Sequence, residues 1–105
     1  MEVLAHAPHW WFLLADGDDL LLDVNCSQGA FGFSVLLVLD ADERQAYAER
    51  GREALQELAR AVHDSAPAAR GSNSPYRARD LSRARGEETT DAVRRWRASG
   101  DPATS

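Results

Sequence analysis

The chain is expected to fold as an α+β domain, a three-stranded antiparallel β-meander packed against a long helix, followed by a long loop and a short C-terminal helix. Three observations predict it. Apolar runs at Trp10 to Ala15, Leu20 to Cys26 and Phe31 to Leu39 are separated by short polar breaks, the pattern of strands and turns. Tyr47, Gly51, Leu55, Leu58 and Val62 then recur at helical spacing and form one stripe. A stretch rich in Pro, Gly, Ser and Arg precedes a last helical pattern that ends near Ala98.

Met1 to His9 reads as a lead-in, with Pro8 keeping Ala7 out of a helix. Trp10 to Ala15 is apolar at every position, as in a strand covered on both faces. Asp16-Gly17-Asp18-Asp19 reads as a tight turn in which Gly17 supplies a positive φ. On the returning strand, Leu20, Leu22, Val24 and Cys26 share one face, while Leu21, Asp23 and Asn25 share the other. After the break at Ser27 to Ala30, the third strand puts Phe31, Phe33, Val35, Leu37 and Leu39 on one face and Gly32, Ser34, Leu36 and Val38 on the other. One face of the sheet is therefore core. The second grades from small and polar to apolar, so it must take the last helix or meet a partner.

Asp40 can accept from the free amides of a helix start, and Glu43 stands where a capping box needs it. This helix should run to about Asp64. Gly51 costs about 1 kcal/mol relative to alanine inside a helix, and marks a kink or a close approach to the sheet. Ser65 to Arg85 has no sustained periodicity, and so long a loop in a small domain is functional or disordered. The last helix, Glu87 to Ala98, places Val93 and Trp96 on one side. The organisation is thus a lead-in over 1–9, one domain over 10–98 and a flexible tail over 99–105.

A hydrophobic content of 44% with 28% charge is ordinary for a globular domain. The net charge of −5 is divided unevenly: residues 1–65 hold 12 acids against four arginines, whereas residues 66–105 hold five acids against eight. An acidic part balanced at −8 and a basic part at +3 can steer partners of opposite sign. Every basic side chain is arginine, whose planar fork suits carboxylates and phosphates. The single Cys26 excludes an intramolecular disulfide. The first residues lack a basic n-region, and no apolar run approaches the roughly 20 residues of a membrane span, so a cytoplasmic location is expected.

Catalytic and metal chemistry find little support. His6 and His9 lack further ligands, and Pro8 breaks the helix that would align them, so they are expected to face solvent. Cys26 alternates with Leu20, Leu22 and Val24 and reads as a buried, inert thiol. His63-Asp64-Ser65 cannot converge on one atom from a helix end. No catalytic residue, metal or cofactor is expected. Asp16, Asp18, Asp19 and Asp23 form the densest acidic cluster, without calcium-loop spacing, and are candidates to steer a basic partner. Arg70, Tyr76 and Arg79 are candidate loop contacts. Tyr76 is expected to pack back on the domain from the turn at Ser72 to Pro75.

The aromatic first strand, the acidic turn, Leu22-Asp23-Val24-Asn25-Cys26-Ser27, the helix Tyr47 to Val62, and Ser65-Ala66-Pro67 leading to Arg70-Gly71-Ser72 and Ser74-Pro75-Tyr76 carry a resemblance over residues 10–98. The chain resembles a group of short uncharacterised bacterial proteins. In size and style it also resembles the immunity proteins of bacterial toxin systems. The second resemblance implies a noncatalytic protein-binding module that neutralises a cognate toxin, often a basic nuclease. Two alternatives compete with it: a nucleic-acid-associated protein using the basic loop and last helix, and a small enzyme of unknown reaction built on Cys26 or a histidine. The net negative charge opposes nucleic-acid binding.

Overall fold

The strands run as an antiparallel meander in chain order: β1 (Glu2–Ala7), β2 (Trp11–Asp16), β3 (Asp19–Gln28) and β4 (Phe31–Val38). The helices α1 (Ala41–Arg50), α2 (Arg52–Ser65) and α3 (Ser82–Ala98) follow. This is a computed structural model, and it describes residues 1–8, 10–28, 31–65, 76 and 79–98. The α+β class is as expected, but the sheet has four strands and not three. The expected lead-in is an edge strand, bonded to β2 with a register irregularity between Val3 and Ala5. That irregularity leaves Leu4 49% exposed and removes the alternation that would have marked the strand in the sequence.

The β2–β3 hairpin closes at the Asp16–Asp19 pair, with Gly17 at φ 59. From there the registers set side chains in transverse rows. Ala5, Leu13, Leu22 and Leu37 make one row, and Ala7, Trp11, Val24 and Val35 make another; both face the same core. Leu55, Ala59 and Val62 of α2 cover them, with Tyr47, Leu58 and Tyr76 packed at the margin. Tyr76 therefore packs back on the domain as expected. Trp11 is buried with its indole N–H unpartnered among the described residues. Arg52 lies over its ring at 5.0 Å and donates to the His6 carbonyl at 2.8 Å.

On the opposite face, Val3, Leu14, Leu21 and Leu36 form a second core with Ala92 of α3, flanked by Phe12, Val38, Leu81, Val93 and Trp96. The last helix thus docks through Val93 and Trp96, but it begins at Ser82, before the expected Glu87. Leu81 N–H donates to the Leu36 carbonyl at 2.8 Å, and Asp80 accepts from Leu36 N–H at 3.0 Å, which fixes the helix start on the edge of β4. No helix among the described residues is long and apolar enough to cross a membrane.

Asp40 and Glu43 complete the capping box that starts α1, with bonds of 2.8 and 2.9 Å. The single long helix expected to Asp64 is instead two, divided at Gly51, whose φ of 63 and ψ of −137 are barred to a side chain by local sterics. A Cβ there would meet nothing within 4 Å, so the glycine serves backbone conformation and not close approach. Gly51→Ala is expected to lower stability by about 1–3 kcal/mol in chemical denaturation. An unchanged midpoint would mean that α1 and α2 can join without loss.

Candidate functional site

One row on the α3 face differs from the rest. His6 pairs with Phe12, Phe12 with Asp23, and Asp23 with Leu36, so a carboxylate stands between an aromatic ring and a buried leucine. The next row brings Asn25 opposite Ser34, with Asn25 N–H bonded to the Trp10 carbonyl at 2.7 Å. A groove of about 440 Å³ opens along these two rows. His6, Trp10, Phe12 and Trp96 supply its aromatic lining, and Asp23, Asn25, Ser34 and Arg97 its polar lining.

The aromatic lining is organised. His6 stacks on Phe12 at 5.5 Å, and Trp96 meets both edge-on, at 4.7 Å from His6 and 5.5 Å from Phe12. Such ring pairs add about 0.5–1.5 kcal/mol beyond their buried area, enough to hold the C-terminal part of α3 on the sheet. Arg97 lies over Phe12 at 5.9 Å. His6, expected to face solvent, is instead partly buried in this cluster. Phe12 faces it across the adjoining strand and Trp96 lies 90 residues away, so its place depends on a four-strand sheet and on the docking of α3.

The Asp23 carboxyl has no hydrogen bond or ion pair among the described residues. Burial pushes its carboxyl up from 3.8 to about 6, and the nearby Asp80 charge adds to the effect. Asp80 is differently placed, because its oxygens accept from Leu36 N–H at 3.0 Å, Ser82 N–H at 2.9 Å and Ser82 Oγ at 3.0 Å. Asp80 is a structural acceptor; Asp23 is an unsatisfied charge beside it.

The other candidates are scattered. Asp16 pairs with Arg85 and lies 4.0 Å from the N-terminal ammonium, so its charge is largely spent within the fold. Asp18 and Asp19 are exposed at the hairpin, and the Asp18 carbonyl accepts from Arg44 at 2.6 Å. Arg79 bonds both Glu43 oxygens, at 2.5 and 3.1 Å, and the Val38 carbonyl at 2.9 Å, which ties the approach to α3 onto α1 and β4. Its guanidinium also lies 5.9 Å from the Tyr76 ring. Arg70 and His9 lie outside the described residues, as does the expected tail over 99–105 and most of the expected loop. No group of three or more metal-ligating side chains occurs among the described residues. Searches against protein-family models, curated proteins and solved structures return no match for the chain.

A carboxyl whose folded-state value lies above its unfolded one favours its neutral form in the fold. Its ionisation therefore destabilises the protein; the penalty is absent below about pH 4 and full above about pH 6. Asp23→Asn removes the charge at nearly constant volume. It is expected to raise stability by about 1–3 kcal/mol at pH 7 in urea unfolding. The gain should fade towards pH 4, where the wild-type side chain is itself neutral. A loss of stability at pH 7 would show that the carboxylate has a compensating partner.

Proposed function

We propose that the protein is a noncatalytic binding module for a basic protein partner, acting as an immunity protein that neutralises a cognate bacterial toxin. The observation that carries this reading is the unpartnered Asp23 carboxylate inside an aromatic groove. A cationic group from a partner would restore the interaction that burial removes, and aromatic walls strengthen contact with such a group. An anion would instead meet Asp23 and Asp80 together, which disfavours phosphate and with it the nucleic-acid alternative.

The net charge of −5 supports attraction of a basic surface. Asp18 and Asp19 contribute to this approach and not to the groove. Asp19 lies four residues along β3 from Asp23, about 13 Å by strand rise, beyond the screening length of about 8 Å at physiological salt. In this reading Asp16 serves mainly the fold, through Arg85, and Arg79 holds Tyr76 beside α1 as a preformed contact patch. Arg70, outside the described residues, is proposed as a further loop contact.

The product of the neighbouring gene is the partner to test. Co-expression and isothermal titration are expected to give a one-to-one complex that abolishes its toxicity. Asp18→Asn with Asp19→Asn should slow association a few-fold at low salt and leave dissociation unchanged. A neighbour that is not toxic, or whose toxicity persists with the chain in excess, overturns the reading.

A further inference from the structure

We propose that the groove on the α3 face is a receptor for an arginine side chain, its guanidinium paired with the Asp23 carboxylate and stacked among the His6, Phe12 and Trp96 rings. The inference rests on the binding-module reading and names the chemical group that the groove takes. Four observations lead to it. The cavity, about 440 Å³, lies within the range of sites that enclose a small group. Asp23 offers two carboxylate oxygens with no partner among the described residues, whereas the Asp80 oxygens already accept from Leu36 and Ser82. The ring cluster supplies flat apolar surface beside that carboxylate, since Phe12 is its direct neighbour in the sheet register. Finally, Arg97 of the chain itself places a guanidinium 5.9 Å from the Phe12 ring, at the outer range of a cation–π contact, so a planar cation is compatible with this lining.

The same features select arginine over other guests. A guanidinium is weakly hydrated, stacks on rings and presents two parallel N–H groups to a carboxylate, so it can enter an aromatic groove and satisfy Asp23 at once. An ammonium is compact and strongly hydrated, and would lose more solvation for fewer contacts. A neutral guest would leave the carboxylate desolvated and unpaired. Arg97 lines the groove but makes no ion pair with Asp23, so an incoming arginine adds a bond and does not merely replace one.

The test uses the full chain and N-acetyl-arginine methylamide as the probe, with the citrulline and lysine analogues as controls. Binding is followed by amide and indole shifts in NMR, which separate Trp96 and Trp10 in the groove from the buried Trp11. The expected result is saturable, weak binding centred on His6, Phe12, Asp23 and Trp96, about ten-fold tighter for arginine than for its neutral citrulline isostere. Lysine should fall between them. Asp23→Asn should erase the difference between arginine and citrulline. Equal binding of arginine and citrulline, shifts that map elsewhere, or no saturation overturns the inference. Probe binding by a chain that forms no toxin complex would overturn only the partner reading. A toxin complex indifferent to Asp23→Asn would overturn only the arginine receptor.

Discussion

Both faces of the sheet carry apolar rows, and α2 and α3 are the helices that cover them. On one side α2 is sufficient: Leu55, Ala59 and Val62 lie against the rows through Leu13 and Trp11. On the other, α3 starts at the β4 edge beside Leu36 and runs over Leu14 and Leu21, then reaches Phe12 through Trp96 and Arg97. Past that ring the strands turn polar, with Asp23, Asn25 and Ser34 on the same face. The groove is therefore a consequence of how far one amphipathic helix extends across a four-stranded face. Its aromatic wall is the end of a core.

Asp23 stands at that boundary. It lies two residues from Leu21 on the same strand face, where a neutral side chain would avoid the cost of desolvating a charge. Domain stabilities lie at about 5–15 kcal/mol, so a desolvated carboxylate costing a few kcal/mol is a large fraction of the total. Perturbed groups of this kind concentrate where a protein binds or reacts. A guanidinium entering the groove, as proposed, would compensate the charge. In the proposed complex, fold and binding would be linked through one side chain that destabilises the free protein.

Much of this was legible in the sequence because of the partial alternation in β3 and β4. It separated Leu22 and Val24 from Leu21 and Asp23, and marked the second face as one that must take the last helix or a partner; it does the first over Leu21 and Leu36 and leaves the second open at Asn25 and Ser34. What escaped were features that depend on distant contacts. The edge strand Glu2–Ala7 is held by bonds to β2, with an irregular register that blurs its period. The helix break needs Gly51 in a conformation that a stripe of apolar residues does not reveal. The early start of α3 depends on Asp80 and Leu81 bonding Leu36, 44 residues from Asp80. His6 and Trp96 lie at opposite ends of the chain and meet only because β1 and α3 share a face. Asp23 was visible as an acid on a mixed face, but its withdrawal from water depended on that helix.

The state of the Asp23 carboxyl in the free protein is the most direct measure of the account. Its side-chain carbon, followed by NMR across the acid range in the full chain, should titrate with a midpoint near 6, well above the 3.8 of an unperturbed aspartate. A midpoint at or below the ordinary value would mean that Asp23 is solvated or already paired, and the groove would then hold no unmet charge for a partner to satisfy.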